Sequence, residues 1–153
     1  MRIIRDYQFI AAEDRGAVAA IGNFDGVHLG HQATLDLVRK IAKDSNSHVG
    51  TLTFEPHPRE YFSPKSAAFR LMSADAKANR LEKLGVERLY QLNFNAALSA
   101  LSAREFARDV IYKALGLTHV IVGTDFCFGK GMTGTASDLI NFGEEFGFKV
   151  TIA

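Results

Sequence analysis

His28 and His31 stand three residues apart in the stretch Gly22-Asn-Phe-Asp-Gly-Val-His-Leu-Gly-His31, which also holds glycines at 22, 26 and 30 and a carboxylate at Asp25. At that spacing, two imidazoles share one face of a helical first turn. Glycine lets backbone approach a ligand closely. A helix N-terminus adds unpaired N–H groups and the positive end of its dipole. These residue types suit phosphate chemistry, with N–H groups to cradle the anion and imidazoles to stabilise its charge as it reacts. The plainer alternatives for a His-x-x-His pair are ordinary surface, a helix-capping pair or half of a metal site. Zinc has the least support, because the lone Cys127 is far off in sequence and no second ligand pair is evident.

Hydrophobic periodicity predicts the elements that must position this stretch. Residues 17–21, 48–54, 88–92, 119–123 and 149–152 read as strands. A helix over 30–43 repeats Leu35, Val38, Ile41 and Ala42 at helical spacing. Ser73 is a candidate N-cap for a helix ending at Leu84 before Gly85. Ser102-Ala-Arg-Glu105 is a capping box for a helix closed by Gly116, and Thr135-Ala-Ser-Asp138 opens another that stops near Gly147. Strand–helix alternation predicts an α/β fold, a Rossmann-like doubly wound parallel sheet of about five strands with helices on both faces. Ligands in such sheets bind beyond the carboxyl ends of the strands. That rule brings the loops 22–31, 55–71 and 124–134 to one rim.

Composition narrows the function classes. A chain of 153 residues with 47% hydrophobic residues suits one domain, 1–153, with a real core. A net charge of +1 gives no field that would select nucleic acid or an anionic membrane, so anion binding must be local. One cysteine excludes an internal disulfide and fits a reducing cytoplasm. The chain lacks an apolar run of membrane-spanning length or a secretory leader, and a cytoplasmic location is expected.

Gly22-Asn-Phe-Asp-Gly-Val-His-Leu-Gly-His31 resembles the His-x-Gly-His signature of the nucleotidylyltransferase superfamily. More narrowly, the chain resembles the FMN adenylyltransferase (FAD synthetase) module of the bacterial bifunctional riboflavin kinase/FMN adenylyltransferases. Thr53-Phe-Glu-Pro-His-Pro-Arg-Glu60 and Val122-Gly-Thr-Asp-Phe-Cys-Phe-Gly129 are similar to that family's second and third signatures. The resemblance implies transfer of AMP from ATP to FMN, giving FAD and pyrophosphate, with Mg²⁺ accompanying ATP. It implies catalytic roles for His28 and His31 on the ATP phosphates, and nucleotide binding by Gly22, Asn23, Phe24, Asp25 and Gly30. The flavin side would be lined by Glu55, Pro56, His57, Pro58, Asp125, Phe126 and Phe128; which residues hold the metal stays open. Flat rings can stack on an isoalloxazine and Asp125 can accept hydrogen bonds from the flavin, while Phe126 and Phe128 read equally as core anchors.

Some readings depart from that pattern or compete with it. Cys127 stands where the family is expected to carry a basic residue, and reads as a small filler. Gly129-Lys-Gly-Met-Thr-Gly134 matches G-x-G-x-x-G formally, but an aromatic loop separates it from the preceding strand, so a mobile glycine-rich lid is the simpler expectation. His48 and His119 read as structural. The family continues past the fifth strand into a Ser/Thr-rich, triphosphate-binding segment and a riboflavin kinase domain. The chain ends at Ala153 without either, so an incomplete adenylyltransferase domain of reduced activity is expected. A cytidylyltransferase acting on a phospho-alcohol is the competing enzyme. A non-catalytic flavin- or nucleotide-binding fragment is the competing binding module.

Overall fold

The computed structural model describes residues 1–25, 29–56, 58–62 and 72–153. Among them, six strands form one fully parallel sheet, β1 (Arg2–Ile4), β2 (Val18–Ile21), β3 (Val49–Glu55), β4 (Arg88–Asn93), β5 (His119–Val122) and β8 (Lys149–Ile152), in the order β1-β4-β3-β2-β5-β8. The α/β prediction holds, with one strand more than expected. Two further short strands, β6 (Cys127–Phe128) and β7 (Gly134–Thr135), pair antiparallel as a separate ribbon. Alternation along the central strands sends Ala17, Ala19 and Ile21 to one face and Val18 and Ala20 to the other, and splits Val120 and Val122 from Ile121 in the same way.

Helices cover both faces. α1 (Leu29–Ser45) and α3 (Ala74–Lys83) bury Leu35, Val38, Ala42, Ala78 and Leu81 against one face. α4 (Ala96–Ser99), α5 (Ala103–Glu105) and α6 (Ala136–Phe146) cover the other, which includes Leu98, Ala136 and Leu139. The three predicted caps form. Ser73 accepts from the Ala76 N–H, and Ser102/Glu105 and Thr135/Asp138 make reciprocal capping boxes. Gly147 adopts the left-handed conformation (φ 110°) that closes α6. The helix after Ser102 departs from expectation, since α5 runs straight into a π-helical stretch, Phe106–Ala114, whose end is marked by the Leu115 N–H reaching the Val110 carbonyl.

Three other expectations are corrected. The segment 55–71 is not simply a loop, because α2 (Pro58–Phe62) lies within it. Proline suits the first helical position, where its missing N–H would have no partner. Residues 129–134 form a packed turn rather than a lid: the Lys130 N–H donates to the Leu101 carbonyl at 2.8 Å. A Cβ on Gly129 (φ +79°) would come within 2.5 Å of the Ala103 nitrogen, so only glycine fits this close approach. Cys127 is exposed rather than a buried filler.

The edge strand β1 is tied down by charge. Arg2 donates two hydrogen bonds to the Asp14 carboxylate at 2.7 and 2.8 Å, and Arg88 Nε lies 2.8 Å from the same group. Asp14 is 3% exposed, and its carbonyl accepts the Tyr90 hydroxyl hydrogen bond. The Arg2 hydrogen bonds outweigh burial and hold the Asp14 carboxyl below its usual range. Its stabilisation is therefore complete above the unfolded pKa of about 3.9 and is lost as pH falls through the lower folded value. Asp14→Ala should cost about 3 kcal/mol at neutral pH, the lower end of the range for a broken buried pair because Arg2 is half exposed and rehydrates. Urea unfolding of both proteins at pH 7 and near pH 3 checks this, and the difference should shrink at the acid end.

Candidate functional site

The strand order reverses between β2 and β5, since β3 and β4 extend the sheet one way and β5 and β8 the other. At such a switch point, the loops leaving adjacent strands diverge to opposite faces and open a crevice at the carboxyl rim. Beyond Ile21 the Gly22 N–H still bonds the Leu52 carbonyl at 3.1 Å, and the chain then turns through Asn23, Phe24 and Asp25. Phe24 holds φ +53°, a region costly for a bulky side chain, and is 3% exposed in the core beneath α1. Its ring packs against that of His31 in the first turn of α1, with centroids 5.1 Å apart.

Two clefts meet at this rim. The first lies in the switch-point crevice and encloses about 790 Å³ including its open mouth, lined by Gly22, Phe24, Gly30, His31, Thr34, Gly123, Thr124 and Asp125 among others. The second, about 890 Å³ including its mouth, is walled by Phe54, Pro58, Phe62, Phe94, Phe106, Phe126 and Phe128, with Asn23, Ser99 and Asp125 as polar edges. Gly22, Asp125 and Phe126 border both. The aromatic wall is self-supporting: Phe94 meets Phe54 and Phe62 edge-on at 5.8 Å each. Phe126 stacks on Phe128 at 5.3 Å, and Phe128 contacts Phe106 at 6.0 Å. An apolar slot with a few polar edges is built for a flat ring system, and an N–H-rich helix start beside imidazole is built for phosphate. Two such ligands, one in each cleft, would meet end to end at the shared border.

The structure thus gathers Gly22, Asn23, Phe24, Gly30, His31, Pro58, Asp125, Phe126 and Phe128 around the two clefts, whereas Asp25 lines neither. His28 and His57 lie outside the described residues. Glu55 has turned to α3, where its Oε1 accepts from Lys77 Nζ at 3.2 Å, and Pro56 follows it at the strand end. Asp25 accepts the Met72 N–H at 3.0 Å, which ties the turn to the approach of α3. His48 and His119 sit at the opposite ends of their strands. His119 contacts the Thr151 hydroxyl at 2.6 Å, and burial, then Lys149, lowers its pKa. His48 lies 3.5 Å from the Glu87 carboxylate. Sequence reasoning passed over Phe54, Phe62, Phe94 and Phe106. Phe94 could have been found, since it directly follows β4 on the same rim. It also passed over Lys77.

Residues 10–153 match the FAD synthetase family model. The chain is 41% identical over 153 residues to a bifunctional riboflavin kinase/FMN adenylyltransferase of Pseudomonas fluorescens, covering 100% of this chain and 49% of that protein. It is 36% identical over 152 residues to the enzyme of the same name from Escherichia coli (strain K12), covering 99% and 49%. The chain spans about half the length of the curated relatives it matches. Among solved structures, a macrolide-efflux protein from Streptococcus pneumoniae superposes with a TM-score of 0.83 at 28% identity, over 99% of this chain and 49% of that one. No helix among the described residues is long and apolar enough to cross a membrane.

Proposed function

The chain belongs to the FAD synthetase family, and from that membership we propose that it is the FMN adenylyltransferase unit of its protein, transferring AMP from ATP to FMN. The observation that carries the proposal is the meeting of a phosphate-type crevice and an aromatic slot across Gly22, Asp125 and Phe126. In this reading ATP occupies the switch-point crevice, with Gly22, Phe24 and Gly30 lining it and Asn23 and Asp25 in the turn beside it. FMN lies with its ring between the phenylalanines and its phosphate toward the shared border. An FMN phosphate oxygen attacks the α-phosphorus of ATP, the new P–O bond joins AMP to FMN, and the bond to the β-phosphate breaks to release pyrophosphate. The attacking phosphate is already an anion, so no general base is needed. Alignment and charge stabilisation carry the rate. His31, with His28 of the same motif, serves the ATP phosphates and the leaving pyrophosphate.

Mg²⁺ enters with ATP as part of the substrate. Among the described residues no group of three His, Cys, Asp or Glu side chains could hold a metal, so no step is assigned to it. The relatives' names join this activity to a riboflavin kinase, and the proposal extends that fusion to the intact protein around residues 1–153. The protein incubated with FMN, Mg²⁺ and either ATP or CTP should form FAD from ATP alone, read by chromatography. Turnover of CTP with no flavin bound would instead make it a cytidylyltransferase.

A further inference from the structure

Lys77 is 3% exposed, an unusual place for a lysine unless its charge is matched. It projects from α3 beside Ala78 and Leu81, which belong to the apolar layer under the sheet. Its ammonium donates to the Asn23 carbonyl at 3.0 Å and to Glu55 Oε1 at 3.2 Å. Asn23 lies in the turn after β2 and Glu55 ends β3, so one cation joins α3 to two strand ends at the carboxyl rim. The next residue along the turn is Phe24, held at positive φ with its ring against His31. One further on, Asp25 accepts the Met72 N–H immediately before the Ser73 cap. α3 therefore grips the turn on both sides of its strained residue.

A buried ion pair adds little net stability compared with an apolar side chain of similar volume, because desolvating the charges offsets their attraction. Packing alone would thus be served as well by methionine at this position. What methionine could not supply is a directional donor to a backbone carbonyl. We propose that Lys77 is a positioning residue for AMP transfer: its ammonium fixes the Asn23 carbonyl, and through the turn sets His31 against the switch-point crevice, while Lys77 itself lines neither cleft. This rests on the FMN adenylyltransferase reading above.

The test uses the intact protein with Lys77→Met and Lys77→Gln, assayed for FAD formation well below each variant's Tm. Lys77→Met should lower kcat about 100-fold, the effect of misplacing a reacting group by about an ångström, with KM for ATP and FMN little changed. Lys77→Gln keeps an N–H donor and should recover part of the loss; it also carries the comparison should Lys77→Met not fold. A wild-type kcat in either folded variant overturns the positioning role. So does a loss of rate that only tracks the loss of folded protein by circular dichroism. Wild-type protein that forms no FAD overturns the functional reading, and the positioning role falls with it.

Discussion

Replacing His31 with alanine should lower kcat for FAD formation by about 10²–10³-fold, the loss typical of one preorganised donor, while KM for ATP moves far less. The expectation follows from where the ring sits and how it is held. His31 occupies the first turn of α1, where helix N–H groups already favour an anion, and it lines the crevice at the sheet's switch point. Phe24 backs its ring at 5.1 Å. A backed imidazole is aimed before substrate arrives, so its interaction can be strongest with the charge that develops on the phosphates in the transition state. Steady-state kinetics separates the possibilities. An unchanged kcat with a raised KM would mean that His31 binds ATP and the transition state equally and contributes nothing specific to the chemical step.

The sheet was legible because its central strands carry their own signal. The apolar pattern over 149–152 has the limits of β8, and that over 17–21 exceeds β2 by one residue. Helix starts were legible for the same local reason, since a cap such as Ser102 with Glu105 needs only residues three apart. What escaped was set by distant contacts. Arg2-Ile-Ile4 is too short to show a period, and becomes a strand through pairing with β4 and the Asp14 ion pair. Residues 129–134 look like a glycine-rich lid until Ala103 is seen packed against Gly129 and Gly134.

The site divided along the same line. Gly22 to Asp25 and His31 announce themselves by spacing. Lys77, by contrast, sits in a polar-looking helix, Ala-Asp-Ala-Lys-Ala-Asn, with nothing local to mark it as buried. Its meaning lies in contacts to Asn23 and Glu55, 54 and 22 positions away. Phe106 was equally opaque, because an apolar residue opening a helical stretch reads as core, and here it belongs to both the core and a cleft wall.

Phe126 and Phe128 stack on one another, yet their alanine variants should fail in different ways. Phe128 is 5% exposed and meets Phe106 and Phe142 within the core, so Phe128→Ala empties a packed position. A buried phenylalanine truncated to alanine costs about 3–5 kcal/mol, which for a domain of this size is a Tm lower by about 10 °C. Phe126 is only partly buried, packs on the core from outside and borders both clefts. Phe126→Ala should leave Tm nearly unchanged. If the proposed flavin slot is right, it also weakens FMN binding about tenfold, the upper end of an aromatic pair's contribution. Its effect on ATP binding should be small. Thermal unfolding beside calorimetry with FMN and with ATP–Mg²⁺ reads both variants. Should Phe126→Ala unfold the protein while Phe128→Ala spares it and loses FMN, the two roles are reversed. Should neither variant change FMN affinity once folded, the aromatic slot does not hold the flavin, and the ring must bind elsewhere along the rim.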